Sequence, residues 1–145
     1  MSSTAPPPAQ PASGRGIVVR PVEDAPDRKA FVDVGFELNS SDPNWVPPLK
    51  TEVHGLIDPR TNPWFRHAEA RFFLAERGDK VVGRISAQID AQVLAMPERQ
   101  GGGPGTGHWG MLEAADAEAA AGLLARAGGW VKARERAGAL GPLSL

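Results

Sequence analysis

Apolar positions along this chain follow two rhythms. Between Lys80 and Asp90 they alternate: Val81, Gly83, Ile85, Ala87 and Ile89 share one side, and Val82, Arg84, Ser86, Gln88 and Asp90 share the other. A period of two marks a strand whose successive side chains point to opposite faces, here one apolar and one more polar. Residues 70–76 form a second strand-like run, and Arg77-Gly78-Asp79 between the two is a glycine-containing turn. Residues 70–90 are therefore expected to form an antiparallel hairpin.

Helical spacing appears twice. Phe31, Val34 and Leu38, with Val32 and Phe36 alongside, follow Asp24-Ala-Pro-Asp27. Asp24 can cap, Pro26 is tolerated in a first turn, and Asp27 sets a negative charge at the positive end of the helix dipole. This helix should stop near Asn39, just before Pro43. The second stripe is Ala120, Leu123, Leu124, Ala127, Trp130 and Val131, in a helix expected over 116–137. Lys132, Arg134 and Arg136 suit its last turns, and Gly138 its C-cap. Gly128 and Gly129 inside it cost about 1 kcal/mol each against Ala, which is tolerable where small residues let the helix lie close on a sheet.

The β-branched run Gly16-Ile-Val-Val-Arg-Pro21 predicts a short edge strand, and residues 108–113 and the apolar run 139–145 predict two further strands. Residues 43–67 are dense in proline and aromatics: Pro43, Trp45, Pro47, Pro48, Pro59, Pro63, Trp64 and Phe65. One or two helical turns fit between Lys50 and Ile57, and the rest is an irregular segment, a candidate wall beside a substrate. The sum is a mixed, mostly antiparallel α/β sheet.

Composition narrows the function classes. A length of 145 residues suits one domain. Residues 1–16 are mostly Ser, Pro, Ala and Gly and are expected to be a disordered tail, with the folded part over 17–145. Lys+Arg 16 against Asp+Glu 17 leaves a net charge of -1, which argues against a nucleic-acid binder. Cys 0 removes disulfides, thiolate nucleophiles and Cys-ligated zinc. No apolar run approaches the ~18 residues of a membrane span, and the first residues lack a signal peptide's basic and apolar regions. A cytoplasmic protein with no membrane partner is the expectation.

Five motifs carry a family resemblance: Asp42-Pro-Asn-Trp-Val-Pro-Pro-Leu49, Asn62-Pro-Trp-Phe-Arg-His-Ala-Glu69, Phe73-Leu-Ala-Glu-Arg77, Val82-Gly-Arg84 and Gly141-Pro-Leu-Ser144. With the element order, they resemble the first two-thirds of the GNAT acetyltransferase superfamily, and more narrowly an uncharacterised bacterial GNAT-like branch. The resemblance implies a partial domain over 17–145, with a sheet of the acyl-CoA N-acyltransferase type truncated after its fifth strand. It implies acetyl transfer from acetyl-CoA to a small-molecule or peptide amine, without a metal. It sets the cofactor along the fourth strand and the start of the next helix, at Met111, Leu112, Glu113, Asp116 and Ala117. Helix-start amides attract phosphates there. It offers Glu113 as the catalytic base, against a plain helix-start charge. The second function it allows is a non-catalytic GNAT-like domain that binds through the Trp/Pro-rich loop.

The junction Leu112-Glu-Ala-Ala-Asp-Ala-Glu118 contains no Gly-x-Gly, and its carboxylates would repel a pyrophosphate. Gln100-Gly-Gly-Gly-Pro-Gly105 has the letters of a phosphate loop but precedes a strand, so the helix terminus that gives such a loop its mechanism is missing. His67 and Glu69, and the lone His54 and His108, read as hydrogen-bonded structural residues. Trp45, Trp64 and Trp109 are candidate pocket walls for which packing is the simpler role. Ser144 has no recognisable base and no nucleophile-elbow pattern around it.

Overall fold

Four strands pair in chain order: β1 (Val18–Pro21), β2 (Ala68–Arg77), β3 (Lys80–Asp90) and β4 (His108–Ala114), every pair antiparallel. The computed structural model describes residues 16–100 and 107–136. The β2–β3 hairpin turns at Gly78, whose φ of 63° lies in the left-handed region that glycine enters without steric cost. Its first strand begins two residues earlier than the alternation suggests.

Helix α1 (Ala25–Asn39) starts as its sequence predicts, with the Asp24 carboxylate accepting from the Asp27 backbone N–H at 2.9 Å. Asp27 is more than a dipole charge. It is buried, accepts from the Glu23 N–H at 3.1 Å, and pairs with Arg20 at 2.8 Å. Arg20 also reaches Glu76 at 3.0 Å, so one guanidinium ties β1, β2 and α1 together. The irregular segment holds α2 (Lys50–Leu56) and a 3-10 turn at Pro63–Arg66. After β3 come the single turn α3 (Ala91–Leu94) and, beyond β4, the long α4 (Ala117–Arg136).

Both faces of the sheet are covered. Helix α4 lies on one, where Ala119, Leu123 and Ala127 pack on Phe73, Val82, Ile85 and Ala87. Helices α1 and α2 cover the other, where Phe31, Val32, Val53 and Ile57 pack with Leu74. The more polar side of β3 is thus no solvent face, and Ser86 on it is only 3% exposed. The alternation also breaks once. Ala75 pairs with Gly83 but Glu76 pairs with Val81, so Val82 is an extra residue in a bulge. Val82 turns into the α4-side core and Val81 packs on the α1 side, the reverse of strict alternation.

The glycine pair of α4 is a second correction. A Cβ at Gly128 or Gly129 would meet nothing within 4 Å, so neither lets the helix approach the sheet. Gly122 makes that approach, with Ile17 and Val19 each 3.4 Å from where its Cβ would sit. Gly128→Ala and Gly129→Ala should therefore each stabilise the fold by about 1 kcal/mol, read by thermal melting. A lower melting temperature would contradict the open placement of this helix face.

The expectations for the tail, for the glycine run at 101–106, for the Gly138 cap and for the strand at 139–145 lie outside the described residues. No described helix is long and apolar enough to cross a membrane.

Candidate functional site

A cleft of about 180 Å³ opens on the α1 side of the sheet. Its floor follows from the strand registers. Phe72 of β2 faces Ser86 of β3, which faces Gly110 of β4, and in the next row Ala70 faces Gln88. The wall is the irregular segment: Leu56 and Ile57 at the end of α2, and Trp64 and Phe65 of the 3-10 turn, with Met111 also lining it. Every lining residue is uncharged, and the polar groups on the floor are Ser86 and Gln88. Such a mostly apolar concavity with a few converging polar groups is the usual form of a small-ligand site.

Short-range hydrogen bonds hold the wall. The Asn62 side-chain Oδ1 accepts from the Trp64 N–H at 3.0 Å, and its Nδ2 donates to the Leu56 carbonyl at 2.8 Å. The indole N–H of Trp64 donates to Asp90 at 3.1 Å, and His67 Nδ1 lies 2.9 Å from the other Asp90 oxygen. Burial alone would raise the Asp90 pKa, but the bonds to His67, the Gln92 N–H and Trp64 hold it below its ordinary 3.8. A depressed carboxylate stabilises the fold above its unfolded pKa, and that contribution is lost as pH falls through the lower folded value. Asp90→Asn should thus cost about 1–3 kcal/mol at neutral pH, and less at acid pH below the ordinary 3.8. Chemical denaturation at both pH values checks this, and a pH-independent difference would contradict it.

Beside the cleft the β3–β4 register slips. Arg84 pairs with Glu113 and Ser86 with Gly110, so β4 carries the extra residue. Met111 there has φ 54°, a left-handed conformation uncommon outside glycine. The bulge is braced from within. Arg84 Nε donates to the Met111 carbonyl at 3.2 Å and Nη1 to the Phe31 carbonyl at 2.9 Å, with the guanidinium 5.1 Å from the Phe31 ring centroid. Burial holds the Arg84 pKa below its usual value, against the raising effect of Glu113 nearby. Glu113 accepts from the Asn39 amide at 3.1 Å.

The five residues that the resemblance grouped as a site separate. Met111 lines the cleft, Leu112 packs into the α4-side core, and Glu113 meets the end of α1. Glu113 belongs to β4 and not to a helix start. Asp116 and Ala117 lie at the start of α4, on the opposite face of the sheet from the cleft, where Asp116 accepts from the Ala119 N–H at 2.9 Å. Arg77, at the end of β2, pairs with both Asp116 at 2.9 Å and Glu118 at 2.8 Å. Its hydrogen bond holds the Asp116 pKa down.

His67 and Glu69 diverge: His67 meets Asp90, while Glu69 pairs with Arg134 of α4 at 2.7 Å. Among the described residues no cluster of His, Asp or Glu has the form of a metal site. Of the three candidate tryptophans only Trp64 lines the cleft. Trp45 packs edge-on against Phe36, and Trp109 lines a separate groove with Val131. A larger depression of about 510 Å³ between α1 and the hairpin turn is lined by the charged Lys29, Asp33, Glu37, Asp79 and Lys80 together with Pro26, Ala30 and Val81.

Comparison with known proteins redirects the functional reading. The chain is 44% identical to bacterial ceramide synthase of Caulobacter vibrioides (strain NA1000 / CB15N) over 130 residues, which is 89% of this chain and 33% of that protein. It is 35% identical to protein YghO of Escherichia coli (strain K12) over 129 residues, 88% of this chain and 32% of that one. The chain spans about a third of the length of the curated relatives it matches. No family model matches it. No solved structure matches it.

These likenesses correct the resemblance stated above. The relatives are named for ceramide synthesis or as YghO, so membership of the GNAT superfamily, acetyl transfer to an amine and a GNAT-like binding domain are all withdrawn. The physical reason lies in the motifs. Asn62, Pro63, Trp64, Phe65 and His67 build the cleft wall and its braces, and Phe73, Leu74 and Gly83 pack the sheet. Such residues report this wall and this sheet, not an acetyl-CoA loop. The coarser reading stands: a mixed α/β fold around a four-stranded antiparallel sheet.

Proposed function

We infer that this chain is the lipid-handling section of a protein that makes a ceramide-type lipid. The observation that carries the reading is the 44% identity to bacterial ceramide synthase, extending over 89% of the chain. The cleft supports it on chemical grounds. A ceramide joins long hydrocarbon to neutral amide and hydroxyl groups. The cleft offers aromatic and aliphatic walls, the neutral polar side chains of Asn62, Ser86 and Gln88, and no charge. Burying an ionic group there without a partner would be costly, and burying a hydrogen-bonded neutral one is not. The gene should therefore be required for ceramide in the organism that carries it. Mass spectrometry of lipid extracts after its removal should show ceramide lost, and restored when the gene is returned. Unchanged ceramide would overturn the reading.

A further inference from the structure

We propose that Gln88, held by Ser86, is the polar recognition point of this cleft, and that the ligand it takes is a neutral single-chain amphiphile bearing an amide or hydroxyl oxygen. The proposal rests on the ceramide reading for its biological setting but on the geometry of β3 and β4 for its chemistry. Ser86 Oγ donates to Gln88 Oε1 at 2.9 Å. That bond orients the amide and commits its oxygen. The two N–H groups of Gln88 Nε2 have no acceptor among the described residues. Residue 110, across from Ser86 on β4, is glycine and sets no side chain beside them: a Cβ there would stand 3.3 Å from Ser86 Oγ and 3.9 Å from Gln88 Nε2. Gly110 thus keeps the polar pair open to the cleft.

An open amide N–H calls for an acceptor oxygen. The cleft lining carries no cation to neutralise a carboxylate or phosphate, so a neutral carbonyl or hydroxyl fits and an anionic headgroup does not. Size sets a second limit. A dry apolar cavity of about 150 Å³ takes one benzene, so a cleft of about 180 Å³ takes roughly six carbons next to the polar group. A longer tail must leave it, and Leu56 offers the apolar exit, lining the cleft while remaining 60% exposed. The ligand class is therefore a long-chain amide or alcohol held at its head.

The test is calorimetric titration of the whole protein with N-decylacetamide, and with decanoate and decyl phosphate as charged probes of the same chain length. Binding of the amide is expected, with each anion at least tenfold weaker. Gln88→Leu, nearly equal in size, should weaken amide binding about tenfold, and Gly110→Val should abolish it by filling the space beside Ser86. Thermal melting confirms folding; if Gly110→Val fails to fold, Gln88→Leu alone decides. Equal binding of amide and anions, no binding of the amide, or unchanged affinity in Gln88→Leu would overturn the proposal. Amide binding that depends on Gln88, in a protein whose removal leaves ceramide unchanged, would sink the ceramide reading and leave this site standing. Lost ceramide with no dependence of binding on Gln88 would do the reverse.

Discussion

Arg84→Ala is expected to destabilise the protein by about 3 kcal/mol. The side chain is a long strut between α1 and the bulge of β4, bonded to the carbonyls of Phe31 and Met111. Removing it takes a donor from two part-buried carbonyls, of which that of Phe31 keeps its helical bond, and leaves a void beneath Phe31. It also removes the cation facing Glu113. The fit around Arg84 is tight, since a Cβ at Gly35 would lie 2.7 Å from the guanidinium carbon. Arg84→Met should recover part of the loss by refilling the volume without the hydrogen bonds. Urea denaturation of the three proteins measures this. Equal stability of wild type and Arg84→Ala would show that the strut carries no load.

Gly83→Ala should cost about 2–3 kcal/mol for the opposite reason, overpacking. A Cβ at this position would stand 2.8 Å from the Glu113 carbonyl oxygen, 2.9 Å from Leu123 Cδ1 and 3.3 Å from the Ala114 Cα. Two of those neighbours are backbone and cannot rotate away. The strands β3 and β4 must part, or α4 must lift from the sheet. The same denaturation measurement reads it, and a neutral or stabilising substitution would contradict the close approach of β4 to β3.

The sequence made the hairpin, the capped α1 and the long α4 legible because each rests on local chemistry: alternation, an aspartate before an apolar stripe, a glycine in a turn. The bulges at Val82 and Met111 were not legible, since one extra residue leaves the surrounding period intact. The candidate site was visible only in pieces. By alternation Arg84, Ser86, Gln88 and Asp90 share a side of β3, but polar residues at period two read as a solvated face. Which element covers that face is a tertiary fact. Here α1 sits over Arg84, and the α2 and 3-10 segment over Ser86 and Gln88. The signal that could have found the site was Ala70 and Phe72, apolar partners across from two polar residues on a strand flanked on both sides. Trp64 and Phe65 of the Trp/Pro-rich segment line the cleft, while the GNAT resemblance of its motifs is not borne out. A wall that only packs aromatics carries little information about the reaction beside it.

The proposal that this cleft serves ceramide formation is tested by lipid analysis of complemented cells. In cells from which the gene has been removed, wild type and the distant Gly128→Ala variant should both restore ceramide. Gln88→Leu, at equal protein level, should restore a small fraction, on the order of a tenth, matching a tenfold loss of binding. Full restoration of ceramide by Gln88→Leu would contradict the account.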